Sequence, residues 1–214
     1  MKLIHTKSNE TLLKEIPSIP FHDLSIVFYL FLDKDEHGQM TVLIHNDHLP
    51  IWNTDTSELY KLAIDNTPRL YPPCIRSMAS LINDMLFVNG TLIQPSFAAA
   101  SQNALDLTDS PIPLSILTNT SGIFGASAML YPGVLKEFSK KIGHDLIILP
   151  SSVHEVLLLP YDSTYSFQEM ADMVKDVNEK CVPVEEQLSN QVYYYSSTQD
   201  SIFLGGDPAS RILS

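Results

Sequence analysis

Three stretches of this chain are apolar at every position: Ile26–Leu32, Leu146–Leu149 and Val156–Leu159. Each has the length and residue types of a strand. Side chains of a strand alternate between its two faces, so a strand that is apolar throughout needs cover on both. Whatever sheet these stretches build, two layers are needed around it. The longest run, Ile26–Leu32, is seven residues, far short of the ~20 that a membrane span needs.

Around these stretches the sequence reads as strand pairs followed by helices. "LSIVFYLFLD" and "MTVLIHN" are strand-like and flank "KDEHGQ", a charged loop holding Gly38. "TDTSELYKLAIDN" predicts a helix, with capping-box spacing from Asp55 to Glu58 and an apolar stripe of Leu59, Leu62 and Ala63. Pro68, Pro72 and Pro73 are expected to end it. "CIRSMASLINDML" reads as a second short helix, and residues 87–113 have no period and read as an irregular connection.

The same order then returns. "LSILTN" and "GIFGASAML" read as strands around "NTSG", followed by a helix in "YPGVLKEFSKKIG". Pro132 stands in its first turn, Gly143 terminates it, and Val134, Leu135, Phe138 and Ile142 form its buried face. The hairpin "DLIILPSSVHEVLLLPYD" precedes the helix "SFQEMADMVKDVNEK". That helix has a capping box from Ser166 to Glu169 and an apolar face of Phe167, Met170, Ala171, Val174 and Val177. "QVYYYSS" reads as a last strand, its tyrosines packing and hydrogen-bonding at a sheet edge.

The expected fold is therefore α+β, built from antiparallel β-hairpins each followed by a helix, a repeated ββα grammar. An N-terminal ββα lobe spans 1–86, the irregular connection 87–113, and a C-terminal ββα-ββα lobe 114–214, with one continuous domain as the alternative division. Helices in this number cover one face of one sheet. A second sheet, the 87–113 stretch or another chain must cover the other, and the expectation is self-association, as a homodimer or with a protein partner.

Charge excludes other partners. The formal net charge is −12, from 13 basic and 25 acidic side chains, which repels phosphate backbones and anionic lipid, so neither nucleic acid nor a membrane is expected. Cys74 and Cys181 match no metal or redox spacing and read as reduced cysteines of a cytoplasmic protein. No phosphate-binding glycine loop occurs, and no G-x-S-x-G elbow. "HEVLL" opens like a zinc-protease helix, but Leu158 stands where the second histidine belongs. No cofactor is expected. His45 and His48 are a weak metal-ligand pair that reads better as two turn histidines, and Trp52 as a core or subunit-interface anchor.

The polar turn between the two apolar stretches carries the candidate site residues Ser151, Ser152, His154 and Glu155. If the strand resumes at Val153, Ser152 and His154 share a side, close enough for a hydroxyl–imidazole hydrogen bond, the minimum for an activated nucleophile. No third residue or oxyanion donor can be named, and turn serines commonly bond their own backbone. The leading reading is structural, with the serines bonding their own turn and His154 a backbone carbonyl; beyond that they are candidate binding residues of a non-catalytic binding or protein-interaction domain. The alternative is a small-molecule hydrolase or transferase using His154 with Ser152 or Glu155.

"ILPSSVHEVLLLP", "FGASAMLYPGVLKEF", "VNEKCVPVEEQLSNQVYYYS", "DLSIVFYLFL", "LIHNDHLPIW" and "ELYKLAIDNTPRL" together resemble an uncharacterised family of gut clostridial bacteria, a domain of unknown function. The resemblance covers roughly residues 10–196, apart from 87–113. It implies a bacterial, intracellular protein with no known activity, shortened at its N-terminus relative to the family. It includes Pro150, Ser151, Ser152, His154 and Glu155, which favours a binding role for the turn.

Overall fold

A computed structural model describes residues 1–35, 38–78 and 114–206. The connection expected at 87–113 lies outside these residues, as does most of the helix expected over 74–86.

The run Ile26–Leu32 does not form one strand. It breaks at Phe28, which is buried and whose carbonyl accepts the Ile44 N–H. Its first half lies in β3 (Leu24–Val27), the middle strand of a three-stranded antiparallel sheet between β1 (Lys2–His5) and β2 (Ser18–Phe21). Its second half lies in β4 (Tyr29–Asp35), which pairs only with β5 (Gly38–Leu43). Two helices follow, α1 (His48–Trp52) and α2 (Thr56–Leu70).

The main sheet has six strands, antiparallel at every pairing: β6 (Pro73–Ser77), β7 (Ser115–Asn119), β8 (Leu146–Ser152), β9 (Glu155–Pro160), β10 (Tyr193–Ser196) and β11 (Ser201–Leu204). Their order is β11-β10-β8-β9-β7-β6. Helices α3 (Val134–Ile142) and α4 (Phe167–Cys181) belong to the same half of the chain as β7–β11. None of the helices among the described residues is long and apolar enough to cross a membrane.

Both layers of cover come from within the chain. On one face Leu117, Leu146, Ile148, Val156, Leu158 and Tyr193 pack with Leu3, Leu24 and Ile26 of the small sheet and Leu135 of α3. On the other, Ile116, Ile147, Leu149, Leu157 and Leu159 pack with Val174, Met170 and Phe167 of α4. Leu146, Ile147 and Ile148 are 0% exposed, each contributing about 1.5–3 kcal/mol relative to an exposed position. The central strands are thus covered on both faces by other parts of the chain. Residues from both halves of the chain share the first cluster, and β6 pairs with β7 across the 79–113 stretch.

The α+β class holds, with antiparallel sheets. The hairpins β4–β5 and β8–β9 are each followed by a helix, while β1–β3 and the pair β10–β11 stand outside that pattern. Three local expectations are corrected. "GIFGASAML" is not a strand but a short 3-10 segment, Gly125–Leu130. Gly122 and Phe124 take left-handed backbone at φ 70° and 54°, which ends extended structure before it can pair. Cys74–Ser77 lie in β6, in register with Leu117 and Thr118 through Ile75 and Cys74, because Pro72 and Pro73 bias the chain toward extended backbone. Helix α2 runs through Pro68 to Leu70. A proline this near the end removes one hydrogen bond of the last turn, and the Tyr71 N–H closes that turn on Thr67 O.

Candidate functional site

In the polar turn, β8 ends at Ser152 and β9 begins at Glu155, the two residues paired across the hairpin. The turn is therefore Val153–His154, two residues later than a strand resuming at Val153 would place it. Ser152, 9% exposed, accepts the His154 backbone N–H on its Oγ at 3.1 Å. Its hydroxyl serves the turn and not the imidazole. The His154 ring accepts the Phe124 N–H on Nδ1 at 3.3 Å and stacks on the Phe124 ring at 6.0 Å. With Nδ1 accepting, the neutral ring carries its proton on Nε2, which lies 3.7 Å from Glu186 Oε1. Lys2 Nζ sits 4.4 Å over the Phe124 ring. Burial lowers the Lys2 pKa, and the charge of Glu186 opposes that shift.

Glu155 does not join this group. Strand alternation puts it on the side of Leu157 and Leu159, which face α4. Burial raises its pKa, and it has no hydrogen-bond or ion-pair partner among the described residues. The backbone of Ser151 lies in β8, and its side chain lies outside the described atoms. Gly125 closes over the turn: a Cβ there would stand 2.4 Å from the His154 carbonyl oxygen and 2.1 Å from Thr118 Oγ1. The turn is a packed junction of four chain segments, and its nucleophile and base candidates do not meet.

His48 Nδ1 accepts the His45 N–H at 3.0 Å and its ring stacks on Trp52 at 5.0 Å, so these histidines build the turn into α1. Trp52 is 42% exposed and lies outside the core. No group of three or more metal-ligating side chains occurs among the described residues.

The tyrosine run forms a strand and hydrogen-bonds as the sequence suggests, with partners that the sequence does not name. Each hydroxyl donates to an aspartate: Tyr193 to Asp23 Oδ1 at 2.5 Å, Tyr194 to Asp145 Oδ2, and Tyr195 to Asp200 Oδ1 at 2.6 Å. Burial, then the aspartate charges and hydrogen bonds, push all three phenols above their ordinary range. The run lies in β10, one strand in from the edge strand β11.

The feature that resembles a site is a cleft. It has a volume of about 320 Å³ and lies between the β4–β5 hairpin and α2. Phe28, Leu30 and Phe31 line one wall, Leu59, Leu62 and Leu70 the other, and none of its lining residues has an acidic or basic side chain. Leu62 is 58% and Leu70 51% exposed. Tyr71 lines the cleft, its ring and that of Phe31 in a T-shaped arrangement with centroids 6.0 Å apart. Its hydroxyl is buried without a hydrogen-bond partner among the described residues, as is that of Tyr131. Two sequence signals pointed here: Leu62 in the apolar stripe of α2, and the two-faced polarity of Tyr29–Leu32.

The model of one protein family matches residues 1–197, and its description is a family of unknown function, DUF5688. No curated protein and no solved structure matches the chain.

Proposed function

We propose that this chain, which belongs to the family of unknown function DUF5688, is a non-catalytic binding module whose site is the cleft between α2 and the β4–β5 hairpin. The observation that carries this reading is an uncharged apolar cleft whose walls stay open to solvent at Leu62 and Leu70. Its volume falls at the lower end of the roughly 300–1,000 Å³ of small-molecule sites. Covering such walls gains roughly 25 cal/mol per Å² of apolar surface removed from water. The hydrolase or transferase alternative has less support, because Ser152 Oγ is engaged by a backbone N–H and Glu155 faces away from His154. Cys74 and Cys181 are both free, which fits a reducing compartment, and the cytoplasm is the setting we assign.

The test is a titration with Nile red, a neutral apolar dye, on the wild-type protein and on Leu62→Arg. Because Leu62 is largely exposed, the variant should keep its melting temperature within a degree or two of wild type, as surface substitutions usually cost within about 0.5 kcal/mol. Saturable dye binding that weakens at least about tenfold in the variant supports the cleft. Equal binding by both proteins, or none by either, would overturn it.

A further inference from the structure

We infer that a second pocket, at the C-terminal end of α3, binds a small molecule through its primary ammonium group, held by the Asp145 carboxylate. The pocket has a volume of about 480 Å³ and shares no residue with the cleft between α2 and the β4–β5 hairpin. The two sites therefore stand or fall separately.

Asp145, His144, Tyr161, Tyr194 and Ser197 line this pocket together with the last turn of α3. Asp145 is only partly buried, so a bound group can reach it. Its Oδ1 accepts from the Ser197 N–H at 2.9 Å and from Ser197 Oγ at 2.5 Å, and its Oδ2 accepts from the Tyr194 hydroxyl. Burial opposes the charge, but the bonds from Ser197 and Tyr194 outweigh it and hold the carboxyl below its ordinary range, with His144 acting in the same direction. The carboxylate is thus fixed in place and ionised at neutral pH. No lysine or arginine among the described residues forms an ion pair with it. Lys140 also lines the pocket, but its charge acts on Asp200, beside Lys136. His144 offers positive charge only when protonated.

These groups select a cation, and a particular kind. The pocket lies at the negative end of the α3 dipole, and the net charge of −12 draws cations from a distance. A carboxylate has about four acceptor sites. Three are taken here, which leaves one on Oδ2. A guanidinium fork needs two parallel acceptors, whereas one N–H of an ammonium group fits a single site. A metal ion would need further ligands, and no group of three metal-ligating side chains occurs among the described residues. The rings of Tyr161 and Tyr194, T-shaped with centroids 5.0 Å apart, give the pocket an apolar wall for the body of the molecule.

Calorimetric titration with three probes of similar size reads the charge preference: phenethylamine (cationic), 2-phenylethanol (neutral) and 3-phenylpropionate (anionic). Wild type should bind the amine at least about tenfold more tightly than the alcohol, as a charge-assisted hydrogen bond allows, and the anion most weakly. The Ser197 amide resonance should move as phenethylamine saturates the protein, because that N–H donates to Asp145. Asp145→Asn keeps an acceptor for Ser197 and can donate its own amide to the Tyr194 oxygen; it should erase the preference for the amine. Leu62→Arg, in the other cleft, should leave it intact. Equal affinity for amine and alcohol in wild type would overturn the assignment, as would a Ser197 amide that stays still at saturation. An amine preference that survives in Asp145→Asn would also overturn it, by showing attraction to the net charge alone. Should that variant fail to fold, the wild-type ranking and the Ser197 shift still decide.

Discussion

Glu155 holds a half-buried carboxylate with no partner among the described residues, and burial raises its pKa. The folded state therefore binds its proton more tightly than the unfolded chain does. The stability this group contributes is full below the unfolded value, about 4.3 for a glutamate, and is lost as pH rises through the folded value. Glu155→Gln should raise the melting temperature at neutral pH, and the gain should vanish below about pH 4. A variant no more stable than wild type at neutral pH would show that the carboxylate is not strained there. The sequence located this turn and its serine-to-backbone bonding, but a strand resuming at Val153 sets the turn two residues early, for a physical reason. Val153–His154 contains no glycine, asparagine or aspartate to announce a two-residue hairpin. A strand resuming at Val153 would bring the Ser152 hydroxyl toward the imidazole; with β9 starting at Glu155 it accepts the His154 backbone N–H.

Among the elements, α2 connects stability to the cleft, because one of its faces is a wall. Asp55 caps it by accepting the Glu58 N–H at 2.8 Å, while Thr54 Oγ1 donates to Glu58 Oε2 at 2.8 Å. Asp55→Ala should cost about 1 kcal/mol, read as a lower urea midpoint at unchanged slope. A cost near zero would mean that the Thr54–Glu58 bond alone holds the helix start. Helices α2, α3 and α4 were legible because caps and stripes are local signals. The break of Ile26–Leu32 at Phe28 was not, since both halves are apolar and only tertiary pairing separates them. The strands β1, β2 and β11 escaped for a related reason: each is four residues long and pairs with a strand whose identity composition does not give. The cleft was half legible. Leu62 stands in a stripe expected to be buried, and it is exposed among the described residues.

At the scale of the whole molecule, one apolar cluster joins Leu3, Leu24 and Ile26 to Leu146, Ile148 and Tyr193. Unfolding should therefore be a single transition, with Trp52 fluorescence and far-ultraviolet circular dichroism giving coincident urea midpoints. Two separated midpoints would show that the region around α1 comes away by itself. The second layer was required by the sequence, but its source was not, because nothing local identifies the first five residues as a strand that packs on residues 146–148. The three tyrosines of β10 have a consequence for misfolding. A purely apolar strand in this place could slide by one residue and still bury greasy side chains. Here a one-residue slide turns Tyr193 and Tyr195 to the wrong side and Tyr194 with them. Asp23, Asp145 and Asp200 would each lose a phenol donor at once. The ladder thus works as an error check on strand alignment, penalising every misaligned pairing, including one offered by a neighbouring molecule.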